Sequence, residues 1–195
     1  LFRSDEGGGQ VIPAQLHRTL PLWLRDKMDE SRLYTDDDAK VALAIELARG
    51  NVDNRGGGPF GAAVFTGEGR LVAVGVNRVV PQNCSVAHAE MMAYMGAQQR
   101  LASFRINAGG GRYALATSAQ PCCQCFGATV WAGIDELLIG ARAEDVEELT
   151  EFDEGPLPAD WIGELGRRGI AVRRDILRDE ARGVLAAYGA RGASY

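Results

Sequence analysis

The chain has 195 residues, 46% of them hydrophobic and 24% charged, with a formal net charge of −5. That supplies one buried core, lacks any run of about 18 apolar residues that could span a membrane, and argues against a surface built to hold a nucleic-acid backbone. The opening LFRSDEGGGQ has neither the basic start nor the apolar centre of a secretory signal, and a chain beginning at Leu1 instead of Met reads as a trimmed start.

Residues 1–15 read as a loop around Gly7-Gly8-Gly9, and Leu16 to about Glu30 as a short amphipathic helix interrupted near Pro21. Thr35-Asp36-Asp37-Asp38 offers N-cap chemistry and dipole-favoured acids, so a helix is expected over 36–49 with Gly50 as its stop. GAAVFT and RLVAVGV, parted by Gly67-Glu68-Gly69, predict a hairpin. VAHAEMMAYMGAQQRLA predicts a helix over about 86–101, with His88 and Glu90 in its first turn. RYALAT predicts a strand, and PCCQCFGATVWAG a helix begun at Pro121. ELLIGA, AEDVEEL, ADWIGELGRRG, IAVRR and ILRDEARGVLAAYG continue as strand, helix, helix, strand and helix.

This order predicts a three-layer α/β/α sandwich. Its sheet is mixed and five-stranded, with parallel last strands and an antiparallel hairpin. Residues 1–35 are expected to form an N-terminal extension, and 36–195 the domain that carries the chemistry. Seven arginines from Arg167 onward (Arg167, Arg168, Arg173, Arg174, Arg178, Arg182, Arg191) leave a local basic face open near the C-terminus.

Of the four cysteines, Cys122, Cys123 and Cys125 crowd into four residues, which suits metal binding better than a disulfide framework. A reducing cytoplasm is therefore the expected compartment. Zinc prefers nitrogen and thiolate donors, and a catalytic site keeps one of four positions open. His88, Cys122 and Cys125 supply three ligands. Glu90, two residues from His88, can then place its carboxylate beside the open position and move protons between water and a leaving amine. His-x-Glu alone is commonly a surface pair, and Cys-x-x-Cys alone is often structural or redox. Together, as H-x-E followed by P-C-x-x-C, they form the signature of zinc nucleobase deaminases. Cys123 reads as a packed neighbour and Cys84 as incidental.

From about residue 36 to 190 the chain resembles the cytidine deaminase-like superfamily, and within it the bacterial guanine deaminases. The likeness rests on Pro59-Phe60-Gly61-Ala62, Gly75-Val76-Asn77-Arg78-Val79, His88-Ala89-Glu90, the run from Pro121 to Trp131, and Glu151-Phe152-Asp153-Glu154-Gly155. The resemblance implies that Asn77 binds the base, Phe60 and Trp131 wall its faces, the Ala89 backbone meets its edge, and Glu154 contacts the purine amine side or assists its proton transfers. It also implies a Zn2+ cofactor, a small nucleobase-like substrate and a homodimer in which a C-terminal aromatic, Tyr195 or else Tyr188, closes the partner's site. Read as residues alone, Phe60 and Trp131 also suit a core, Asn77 a turn and Glu154 a solvated loop. Gln120 departs from the glutamate that many relatives carry before Pro121. Guanine conversion to xanthine and ammonia is the expected activity. Other amino-heterocycles (cytosine or cytidine, a triazine, a pterin), transfer-RNA adenosine, and a silent zinc assembly module remain open.

Overall fold

The computed structural model describes residues 15–192. The expected loop over 1–14 and Tyr195 lie outside the described residues. The helix expected from Leu16 to Glu30 is reduced to a 3-10 turn, Leu22–Lys27, entered from Pro21. Only Leu24 of those six residues is buried, too small an apolar face to support a longer helix. Leu24 and Tyr34 nevertheless pack into the main core, so the segment ahead of residue 36 lies against the domain.

Helix α1 (Asp37–Asp53) begins where its cap predicts, the Asp36 carboxylate accepting from the Ala39 N–H at 2.7 Å. It runs through Gly50, the expected stop. The Trp23 ring lies against that glycine, where a Cβ would come within 2.8 Å of the ring, so packing keeps the position small. Strands β1 (Gly61–Thr66) and β2 (Leu71–Val76) form the hairpin, with Gly61 opposite Val76.

The remaining elements follow as α2 (Ala89–Leu101), β3 (Tyr113–Ala119), α3 (Cys123–Ala132), β4 (Glu136–Ala141) and α4 (Ala143–Leu149), then α5 (Trp161–Gly166), β5 (Ala171–Arg173) and α6 (Arg178–Gly189). They build a five-stranded sheet in the order β2-β1-β3-β4-β5. β1 pairs antiparallel with β3 as well as with β2, whereas β3, β4 and β5 run parallel. The mixed α/β/α sandwich is therefore as expected.

Side chains alternate across the sheet, as period-2 strands require. Ala63, Phe65, Ala116 and Leu138 join α1 and α6 in one core layer. Ala62, Val64, Leu115, Leu137 and Ile139 join α2, α3 and α5 in the other. Asn77, Gln120 and the residues after Ala141 leave the sheet at one end, the carboxyl end of the parallel strands, where open α/β sheets place their sites.

Helix α6 is fastened to α4 by one buried carboxylate. Asp145, its side chain 1% exposed, accepts from Arg178 Nε and Nη2, both at 2.7 Å, and from Arg182 Nη1. It also accepts from the Arg142 N–H at 2.8 Å, closing the start of α4.

Candidate active site

Two helix starts bring the metal-ligand candidates together. His88 and Cys122 are the N-cap residues of α2 and α3, each in extended backbone, so the helices begin two to three residues later than expected. Neither side chain makes a capping hydrogen bond; both point instead to a common place, where Cys125 meets them from the first turn of α3. His88 Nδ1 lies 3.5 Å from Cys122 Sγ and 3.6 Å from Cys125 Sγ. The donor atoms of all three residues lie within 4.8 Å of one another. Tetrahedral zinc, with bonds of about 2.3 Å to sulfur and about 2.0 Å to nitrogen, separates such donors by about 3.6 Å. The donor set and its spacing fit zinc. Behind it, Tyr94 of α2 and Thr129 of α3 share a buried hydrogen bond at 2.8 Å, and Thr129 donates to the Cys125 carbonyl at 2.8 Å.

Electrostatics favour a thiolate here. Hydrogen bonds from the Cys125 thiol and from His88 hold Cys122 down at about 4. The same thiol contact, with burial, pushes Cys125 up. The bond to Cys122 raises His88 against the opposing effect of burial. Glu90 is 6% exposed, its Oε2 lying 3.4 Å from Cys125 Sγ and its Oε1 3.4 Å from Thr117 Oγ1. Burial, and then the Cys122 charge, raise its pKa above the ordinary carboxylate range.

A cavity of about 360 Å³ opens beside these groups, within the range of small-ligand sites. Phe60, Asn77, His88, Glu90, Gln120 and Cys122 line it, closed over by residues 151–154 of the acidic loop. Glu154 is 7% exposed, and burial with the Cys122 and Glu90 charges pushes its carboxyl up to about 8. The loop is pinned to α3 where the Cys123 N–H donates to the Glu154 carbonyl at 2.9 Å. Gly155 makes that contact possible: its φ is +68°, and a Cβ there would lie 2.6 Å from Cys123 Sγ.

The model of the cytidine and deoxycytidylate deaminase zinc-binding region matches residues 34–141. The chain belongs to this family. It is a deaminase of the zinc-dependent aminohydrolase class. It is similar to the solved guanine deaminase from Nitrosomonas europaea, with 43% identity, a TM-score of 0.87, and coverage of 93% of this chain and 100% of that one. A solved structure in complex with 8-azaguanine is 44% identical, with a TM-score of 0.86 over 91% and 98% of the two chains. The guanine deaminase of Bacillus subtilis is 35% identical over 111 residues, covering 57% of this chain and 67% of the relative.

In this deaminase the Asn77 carboxamide is fixed in orientation. Its Oδ1 accepts from the N–H groups of Val79 at 3.2 Å and Gly58 at 3.3 Å. Asn51, fully buried on α1, donates from Nδ2 to the carbonyls of Gly58 and Asn77, both at 2.9 Å. The helix expected from the sequence stops at Gly50 and so leaves Asn51 outside it, whereas α1 runs on to Asp53.

Phe152, which the sequence marks only as part of the acidic segment, supplies an aromatic wall. Its ring lies 5.4 Å from that of Phe60 and stacks at 5.7 Å on Tyr188. Tyr188 is thus buried within its own chain behind Phe152, not extended toward a partner. Trp131, expected to wall the base, sits 78% exposed near the end of α3 and does not line this cavity. The Ala89 methyl packs in the core beneath α2.

Six of the seven arginines left open as a basic face near the C-terminus are ion-paired within the chain. Arg167 and Arg168 pair with Glu164, Arg173 with Asp37, Arg178 and Arg182 with Asp145, and Arg191 with Asp53. Arg174 lies over the Trp161 ring. No helix among the described residues is long and apolar enough to cross a membrane.

Proposed function

We propose that this deaminase converts free guanine and water to xanthine and ammonia. The observation that carries the reading is one cavity in which two buried carboxyls, Glu90 and Glu154, face a His-Cys-Cys donor set beside an orientation-fixed carboxamide. The similarity to guanine deaminases over nearly the whole chain supports guanine as the base. The guanidinium pairings just described disfavour a transfer-RNA substrate, which needs unpaired cations for its phosphates.

His88, Cys122 and Cys125 would hold zinc, which when bound supplies Lewis acidity and lowers the pKa of water to about 7. Phe60 and Phe152, in contact with each other, form an aromatic wall against the flat base, and Asn77 meets its edge, presenting the carbon that bears the amine to Glu90. Water oxygen adds to that carbon while Glu90 accepts a proton from it. Glu90 returns this proton to the departing amine. Glu154, raised into the neutral range, relays the second proton to a ring nitrogen. The carbon–nitrogen bond breaks, ammonia leaves, and the carbon keeps the oxygen as the new carbonyl of xanthine. Burial of both carboxyls keeps competing water out and raises their proton affinities above that of a free carboxylate.

The test is ammonia release from guanine, cytosine, cytidine, adenine, adenosine, ammeline and a pterin. Guanine turnover that falls about 1,000-fold in Glu90→Gln is expected. Turnover of a different amine alone would overturn the substrate, and undiminished turnover in the variant would overturn the role of Glu90.

The enzyme acts as a homodimer in this reading, a proposal supported by the exposure of Trp131 and Val86. Sedimentation should give twice the chain mass; a monomer at assay concentration would refute it.

A further inference from the structure

Gln120 is a cavity-lining residue to which the mechanism above gives no task, as are the loop acids Glu151 and Asp153. It leaves the end of β3 directly before the Pro121-Cys122 segment, its backbone N–H donating to the Ala141 carbonyl at 2.9 Å. The residue is 6% exposed and borders the cavity together with Asn77 and Glu90. Neither atom of its side-chain carboxamide has a hydrogen-bond partner among the described residues, in contrast to Asn77, whose oxygen is held by two N–H groups. Buried polar groups are almost always paired, and a carboxamide facing a cavity with no protein partner takes its hydrogen bonds from whatever fills the cavity.

We propose that Gln120 is a substrate-binding, specificity-determining residue whose carboxamide hydrogen-bonds the edge of the base. This rests on the nucleobase reading and deepens it. The group presents one donor end and one acceptor end in a plane. It therefore matches an edge on which a ring N–H stands beside a carbonyl, as in a cyclic amide. Turned over, it matches a ring nitrogen beside an amino group. Asn77 is held in one sense and reads one pattern; Gln120 is not held and can present either end. The division of labour is a fixed reader and an adaptable one, so the enzyme accepts both 6-oxo and 6-amino forms of a 2-aminopurine. The neutrality of Gln120 also matters, since Glu90, Glu151, Asp153 and Glu154 already line the same cavity with carboxyls. A further carboxylate there would raise the cost of ionising each of them.

The experiment compares wild type, Gln120→Leu and Gln120→Glu on guanine and on analogues that each alter one edge: 2-aminopurine, which lacks the 6-carbonyl and with it the N1–H, 7-deazaguanine, 3-deazaguanine and 9-methylguanine. Melting temperature and base affinity by calorimetry are measured on the same samples. Gln120→Leu is expected to stay folded and to lose about tenfold or more in kcat/KM and affinity for guanine. That loss should shrink to within about threefold for the analogue lacking the group Gln120 contacts. A loss of equal size on every analogue, tracking melting temperature, would assign Gln120 a structural role only and overturn the proposal. So would unchanged kinetics in both variants. Wild type that neither binds nor deaminates any of these bases would instead overturn the nucleobase reading, and the role of Gln120 with it.

Discussion

Asn51 never touches the cavity, yet it determines how Asn77 is presented. Its two hydrogen bonds tie the carbonyl of Asn77 to that of Gly58, and Gly58 in turn donates to the Asn77 carboxamide. Replacing Asn51 with Ala strands two buried carbonyls, a cost of about 1–3 kcal/mol for each unsatisfied group. Asn51→Ala should therefore melt several degrees lower and raise KM more than it lowers kcat. Steady-state kinetics in an Asn77→Ala background should show little further rise in KM; an additive rise would mean that Asn51 acts elsewhere. At this scale the sequence was informative wherever a residue's chemistry is rare. A histidine two positions from a glutamate, with two cysteines three apart, has few uses. Asn51 and Gln120 carry ordinary side chains, and their roles arise from burial and from the bonds they make or lack. Trp131 shows the converse: an aromatic in a matching motif whose exposure only packing could reveal.

The helices that bear the site are held by elements that do not reach it. Asp145 fastens α6 to α4, and α6 carries Tyr188 into its stack against Phe152, so a surface-facing pair of helices supports an aromatic wall of the cavity. The guanidinium of Arg178, with Arg182, holds the Asp145 carboxyl far below the usual carboxylate range. A depressed folded-state pKa contributes stability that is complete above the unfolded value of about 4 and is lost as pH falls below it. Asp145→Asn should thus be destabilised by about 3 kcal/mol at neutral pH. Denaturant unfolding across pH should show the gap to wild type constant above about pH 5 and narrowing below pH 4. A gap independent of pH would mean that the carboxylate's charge is not what fastens the helices. Element order and type were legible because hydrophobic periodicity and turn residues are local. The starts of α2 and α3 were not, because at His88 and Cys122 an extended backbone decides the cap and no preferred capping side chain marks it. The short Leu22–Lys27 turn escaped for a related reason: its length depends on how much of it the core accepts.

For the whole molecule, the sandwich followed from strands alternating with helices, while the second antiparallel partner of β1 did not, since strand order is a property of the folded sheet. The site joins α2 to α3 at the sheet's carboxyl end, so metal removal acts on the whole fold. A chelator should lower the melting temperature by more than 10 °C and zinc should restore it, because binding energy available only to the folded chain is folding energy. Equal melting curves with and without chelator would mean that the donor set binds no structural quantity of metal. His88 and Cys122 stand 34 positions apart, so a metal held between them closes a covalent-like ring of that size. In chain-entropy terms such a closure restricts the unfolded state by about 4 kcal/mol, as a disulfide would. Its redox dependence is inverted: reducing agents preserve this tether, and oxidation of either thiolate severs it. Oxidative injury to the enzyme would thus be felt first as loosening of the α2–α3 junction, with lost turnover as its downstream symptom.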